Sequence, residues 1–248
     1  MLAAGQKKSI AHVLFDADIS GVKDRLAAHR HQTGQNVSLT SYIAKSFASA
    51  VAADKRLQAY RLGRSRIILF DEVDMAFMIE RSWEGEQIPL FYIVRNAQTK
   101  TAHEINEELR LARDTPLGTT GPLNALELQV ALLPQFLRRF IWFLLRRNPY
   151  WFKSAAGTVG LSSFGMHTSG AAVGVPITPM SLTLVVGTIE KKLVSDKDEQ
   201  IVEQEFVHMC LSMDHDVIDG APSMRLIERL KASLQNGEAL STSPADGS

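Results

Sequence analysis

Of the seven histidines in this 248-residue chain, His215 is the one set among residues suited to moving a proton. It sits in the run Leu-Ser-Met-Asp-His-Asp-Val-Ile-Asp-Gly-Ala-Pro, directly after a stretch, 205–213, that reads as a strand. An imidazole titrating near about 6.5 accepts a proton from a thiol or hydroxyl at neutral pH and returns it later. Asp219, four residues on, is followed by Gly220, a pair that suggests a tight turn whose carboxylate holds neighbouring groups in position. Taken alone, a histidine and an aspartate four apart describe a satisfied structural pair more readily than a catalytic one.

The other reactive side chains offer less. Cys210 is the single cysteine, so the chain forms no internal disulfide, which suits a reducing cytoplasm and many other places. It lies in the apolar run 206–211 and reads as a buried strand thiol, because a reactive thiol needs an electropositive, accessible setting. His29 and His31 are close together but lack a convergent cysteine or carboxylate set, so no metal site is expected. His12, His103, His167 and His208 have no motif role and are read as surface or core residues.

These residues must be positioned by a mixed α/β framework. Residues 10–19 read as a strand with an acidic end, 20–31 as a helix, and 39–51 as a second helix that Ser38 or Thr40 caps. Two runs, 67–70 and 73–79, separated by Asp71 and Glu72, suggest adjacent strands, and a third follows at 88–94. A helix over 101–112 carries Ile105, Leu109 and Ala112 on one side. Strands are expected at 158–162, 181–189 and 201–213, with a polar hairpin turn at 195–200 and a closing helix from about Pro222 to Asn236. Residues 115–121 read as a loop, 1–9 as an extended or disordered start and 238–248 as a frayed tail, leaving one domain over 10–237.

The segment 123–153 is apolar, aromatic and studded with arginine. Leu133, Phe136, Leu137, Phe140, Ile141 and Leu144 form a helical stripe flanked by Arg138-Arg139 and Arg146-Arg147. One reading is a helix docked on the body with its arginines in water; another is a basic amphipathic helix lying on a membrane or a partner. Its longest apolar run, 140–145, falls far short of the roughly 20 residues that cross a bilayer, so no transmembrane segment is expected.

Bulk properties exclude little else. Apolar residues make up 45% and charged residues 22%, ordinary globular values, and Lys plus Arg balance Asp plus Glu at 27 each. No global field favours nucleic acid or an anionic surface, so any charged site is local. No apolar run of signal-peptide length follows Lys7 and Lys8, which makes a cytoplasmic location the expectation.

The string His215-Asp216-Val217-Ile218-Asp219-Gly220 fits the pattern His-x-x-x-Asp-Gly and resembles that of chloramphenicol acetyltransferase and of the catalytic domains of dihydrolipoamide acyltransferases, the acyltransferase component of 2-oxoacid dehydrogenase complexes. Further landmarks resemble the latter in order: 88–109, the stretch Gly157-Thr-Val-Gly-Leu-Ser-Ser-Phe-Gly165, Pro176-Ile-Thr-Pro179, Leu184-Val-Val-Gly187 and 211–230 as a whole. The resemblance runs loosely from about Ile10 to Gly237. It implies a two-layer α/β sandwich with a large mixed sheet, and a homotrimer whose active sites lie between subunits. It also implies acyl transfer between coenzyme A and a thiol, amine or hydroxyl acceptor by direct attack, without an acyl-enzyme. In the implied roles His215 is the general base, Ser162 the oxyanion donor, reaching His215 from a neighbouring subunit, and Asp219 a structural carboxylate. Alternation along a strand sends Ser162 and Ser163 to opposite faces, and the motif register selects Ser162. Residues that hold coenzyme A are not identified.

Three departures bear on the substrate. Asp216 follows the histidine where the family normally has arginine or a similar residue. No lipoyl attachment site or small subunit-binding domain is seen, so lipoamide would come on a separate lipoyl or acyl carrier protein. The segment 123–153 replaces a much shorter connection. These features keep open a non-catalytic trimeric scaffold of the same fold.

Overall fold

The computed structural model describes residues 8–63, 65–83, 86–115, 133–163, 170–195 and 199–240. The chain opens with β1 (Ile10–Asp18), α1 (Val22–Thr33) and α2 (Leu39–Ala52). Ser38 caps α2, its hydroxyl accepting the Ser41 N–H at 3.2 Å. A short hairpin, β2 (Ala59–Leu62) and β3 (Arg66–Leu69), precedes β4 (Met75–Trp83), β5 (Glu86–Val94) and α3 (Ala102–Asp114). Thr101 and Glu104 close a capping box at the start of α3, each satisfying the other's backbone N–H. Then come α4 (Gln135–Arg147), α5 (Pro149–Ala156), β6 (Val159–Ser163), β7 (Leu182–Ser195), β8 (Ile201–Asp214) and α6 (Gly220–Asn236).

Six strands form one mixed sheet in the order β1-β8-β7-β6-β4-β5, with β4-β6 and β6-β7 parallel and the rest antiparallel. Side chains of a strand alternate between faces, and β8 shows this along its length. Val207, Met209, Leu211 and Met213 join Leu182, Leu184, Val186, Val159 and Leu161 in the main core, against α2, α3 and α6. Tyr42, Ile43 and Phe47 of α2 and Leu226, Leu230 and Leu234 of α6 complete that layer and are fully enclosed.

The opposite face is partly covered by a smaller cluster of Tyr60, Phe70, Ala76, Phe152, Ala156 and Met180, which brings α5 and the β2-β3 hairpin onto the sheet. The two runs expected as adjacent strands are therefore not neighbours. β3 pairs with β2 in a separate two-stranded ribbon, while β4 pairs with β5 and β6. The acidic pair between them marks a change of sheet, which alternation alone does not reveal. Two other expectations are corrected. The helical region before β6 is two helices, broken where the Asn148 side chain accepts the Tyr150 N–H and Pro149 opens the second. The start of the supposed frayed tail, Glu238–Leu240, is a short helical turn with Ala239 buried against the core. The loop 116–121 and the segments 123–132 and 241–248 lie outside the described residues.

Candidate active site

His215 lies one residue beyond β8, with its side chain exposed, at the first position of a turn that leads into α6. The turn is held mostly through its predecessor. Asp214 is 6% exposed, and its N–H donates to the Ser181 carbonyl at 2.8 Å. Its carbonyl accepts the N–H groups of Val217 and Ile218 at 3.1 and 3.0 Å. One carboxylate oxygen accepts the Asp216 N–H at 3.2 Å and the other pairs with Lys8 Nζ at 3.0 Å. The His215 N–H donates to the Ser9 carbonyl at 2.8 Å, and Ile218 anchors the turn in the core at 1% exposure. The backbone that carries the imidazole is thus fixed from β1, from the loop before β7 and from within.

Sequence reasoning missed Asp214 and Lys8. A legible signal existed for the first, since an aspartate readily accepts the backbone N–H two residues on and nucleates a turn. The second required knowing that residues 8 and 9 run beside the end of β8. Asp219 sits at the N-terminal boundary of α6, exposed, with no side-chain cap to the helix; its carbonyl accepts the Ser223 hydroxyl at 3.1 Å. A carboxylate there is favoured by the helix dipole. Gly220 begins α6, and a Cβ placed on it would meet nothing within 4 Å. The turn does not depend on this glycine, contrary to the reading of Asp-Gly as the turn itself; the reversal falls at 215–217 instead.

Ser162 is positioned by the way β6 begins. Gly157 adopts φ 78°, and a Cβ there would lie 2.5 Å from the Asp74 carbonyl oxygen, so no other residue fits. Thr158 follows, its N–H donating to that carbonyl at 2.7 Å and its hydroxyl to Gln58 Oε1 at 2.7 Å. Asp74, 3% exposed, is paired with Arg95 at 2.9 Å. From this anchored start the register runs Gly160↔Thr183 and Ser162↔Val185, then Thr183↔Ser212 and Val185↔Cys210.

Cross-strand partners share a face. Ser162 therefore stands with Val185, Cys210 and Leu14 on the side away from the main core, while Ser163 is paired with Val186, a residue of that core. The Ser163 hydroxyl is buried without a hydrogen-bond partner among the described residues. Cys210 is a free thiol, fully buried. The same outer face bears a second polar row, where His12 Nδ1 and the Ser212 hydroxyl share a hydrogen bond of 2.8 Å. Beyond it His208 lies between Asp16 at 2.6 Å and Glu190 at 3.3 Å, with Lys192 2.7 Å from Asp16. Asp16 and His208 border a recess of about 350 Å³ against Ala171–Val173. Phe164, Gly165 and His167 lie outside the described residues. Among the described residues no cluster of histidine, cysteine or carboxylate could hold a metal ion.

One consequence of the register is decisive for the chemistry. Ser162 is level with Cys210 and two strands away from β8, and His215 is five residues further along. At about 3.3 Å per residue and 4.8 Å per strand, their backbones are roughly 19 Å apart. They do not meet within one chain.

The mixed sheet, its strand order and the layer of helices define the chloramphenicol acetyltransferase-like class of α/β sandwich. Chloramphenicol acetyltransferase itself is similar with a TM-score of 0.51 at 14% identity, over 94% of this chain and 92% of that one. Dihydrolipoamide acetyltransferase of Azotobacter vinelandii, solved to examine a serine, a histidine and an asparagine in its catalytic mechanism, is similar with a TM-score of 0.68 at 17% identity, over 96% of this chain and 86% of that one. Within the class, residues 154–242 match the family of 2-oxoacid dehydrogenases acyltransferase (catalytic domain). The lipoamide acyltransferase component of the branched-chain alpha-keto acid dehydrogenase complex of Bacillus subtilis (strain 168) is 31% identical over 80 residues, 32% of this chain and 19% of that protein. The matched part is about a fifth of the relative's length. The resemblance seen in the sequence is thus found in the family match and in the fold, and the matched stretch contains Ser162, His215, Asp219 and Gly220.

Proposed function

We propose that this chain is a coenzyme A-dependent acyltransferase. His215 removes the proton from the attacking thiol, amine or hydroxyl. The tetrahedral intermediate formed at the acyl carbonyl collapses, the carbon-sulfur bond breaks, and the proton passes to the departing thiolate. Ser162 of a second copy donates to the intermediate's oxyanion, a contact worth about 3 kcal/mol in comparable settings. Asp219 is a structural carboxylate beside the turn. The observation that carries the reading is the anchored turn that presents His215 at the end of β8, inside the stretch that matches the acyltransferase family.

The separation of about 19 Å between Ser162 and His215 supports a site shared between subunits, as in the homotrimer that the resemblance implies. Coenzyme A is substrate rather than resident cofactor, and a lipoyl or acyl group on a separate carrier protein is one acceptor class. Exposed Asp216, beside the base, favours an acceptor other than lipoamide, since the family normally places arginine or a similar residue there. Among the described residues no helix is long and apolar enough to cross a membrane.

The test is acyl-coenzyme A turnover with dihydrolipoamide and a panel of small thiols, amines and alcohols. His215→Ala is expected to lower the rate by about 10²–10⁴, and Ser162→Ala by about 10²–10³. A rate indifferent to His215→Ala would leave a scaffold of this fold as the better reading.

A further inference from the structure

We propose that α4 and the start of α5 form a docking surface for anionic membrane lipid. The helix α4 has two apolar sides. Leu137, Ile141 and Leu145 are partly buried at four-residue spacing, and Trp142 packs on the smaller cluster beneath the sheet. On the other side Phe136 is 74% exposed, Phe140 56%, Phe143 53% and Leu144 38%. At about 100° per residue these four positions fall within an arc of roughly 100° that also takes in Arg147 and adjoins Leu137, a contiguous stripe rather than scattered residues. On α5, Tyr150 and Trp151 are 58% and 56% exposed, the Tyr150 ring standing edge-on to Phe70. A helix face bound for water would be polar, and a contiguous patch of this composition marks a contact surface.

Charge decides between a lipid and a protein occupant. Residues 133–153 contain Arg138, Arg139, Arg146, Arg147 and Lys153 and no aspartate or glutamate, in a chain whose charges balance only as a whole. Lys153 is paired with Glu72, and the Arg147 guanidinium lies 5.3 Å from the centre of the Phe143 ring. Aromatic rings interleaved with cations of one sign fit a layer of phosphate headgroups over acyl chains. A helix of 13 residues is about 20 Å long, so it lies in the interface and does not span it.

The experiment is flotation of the full chain with vesicles of phosphatidylcholine alone and of phosphatidylcholine mixed with phosphatidylglycerol. The wild type is expected to float with the mixed vesicles only, and less so at high salt. Replacing Phe136 and Phe140 together by serine abolishes flotation while the thermal unfolding midpoint stays within a few degrees. Replacing Arg146 and Arg147 together by glutamine weakens partitioning about thirtyfold, from about 1 kcal/mol per cation near an anionic surface. Absence of flotation, flotation equal on neutral vesicles, or flotation undiminished in the phenylalanine variant overturns the proposal. So does concentration-dependent self-association by light scattering that the phenylalanine variant abolishes without any lipid binding, since it would identify a second copy of the chain as the occupant.

Discussion

The two faces of the six-stranded sheet are put to different use. On β8 the odd-numbered residues Val207, Met209, Leu211 and Met213 enter the main core, and the even-numbered His208, Ser212 and Asp214 turn to the other face. The first face is apolar and closed by helices, so it stabilises the subunit. The second collects His12, Asp16, Ser162, His208 and Ser212, residues that hydrogen-bond or carry charge, over a face that helices cover only in part. A strand buried on both faces can therefore supply packing with one set of residues and chemistry with the other, and the turn at its end inherits the rigidity of the packed set.

Substitutions on β8 and β1 separate the two uses. Leu211→Ala, at 1% exposure in the main core, is expected to cost about 2–5 kcal/mol of unfolding free energy in a denaturant titration. Leu14→Ala, 60% exposed on the outer face, is expected to change the subunit by less than about 0.5 kcal/mol. A cost for Leu14 equal to that for Leu211 would show that the outer face is enclosed between subunits. Asp214→Ala removes the partner of Lys8 and the acceptor for the Asp216 N–H. It should cost about 1–3 kcal/mol and lower turnover with no change in the pH dependence of the remaining rate, since Asp214 holds the turn and does not itself exchange the proton.

The smallest effect is electrostatic. Burial opposes ionisation of Asp16, but hydrogen bonds from Lys192 and His208 outweigh it and hold its carboxyl below the ordinary 3.8. A depressed carboxyl contributes stability above its unfolded pKa and loses it as pH falls through the folded value. Wild type should accordingly exceed Asp16→Asn in stability above about pH 4, and the difference should shrink on further acidification. A difference that grows towards low pH would contradict that assignment.

Much of this was legible in the sequence because alternation and helical spacing are local. The strand 201–213, the helix 39–51 and the closing helix at 222–236 fall within a few residues of where periodicity puts them. Alternation also sends Ser162 and Ser163 to opposite faces, as read, although the choice between them rested on the motif. What escaped was non-local. β2, with the short pattern Ala-Tyr-Arg-Leu, gives too few alternations to stand out, and only its pairing with β3 reveals the separate ribbon. The Lys8–Asp214 pair joins residues more than 200 positions apart, which no spacing rule can see. The split between α4 and α5 was readable from Asn148-Pro149, a side-chain cap followed by a residue that starts helices.

The central claim is that His215 of one subunit works with Ser162 of another. The direct test mixes His215→Ala and Ser162→Ala subunits after dissociation, allows them to reassemble, and measures acyl-coenzyme A turnover against each variant alone. A shared site predicts recovery of about a quarter of wild-type activity, since random assembly leaves that share of interfaces with both residues intact. Turnover no greater than the average of the two variants would contradict a site built across the subunit boundary.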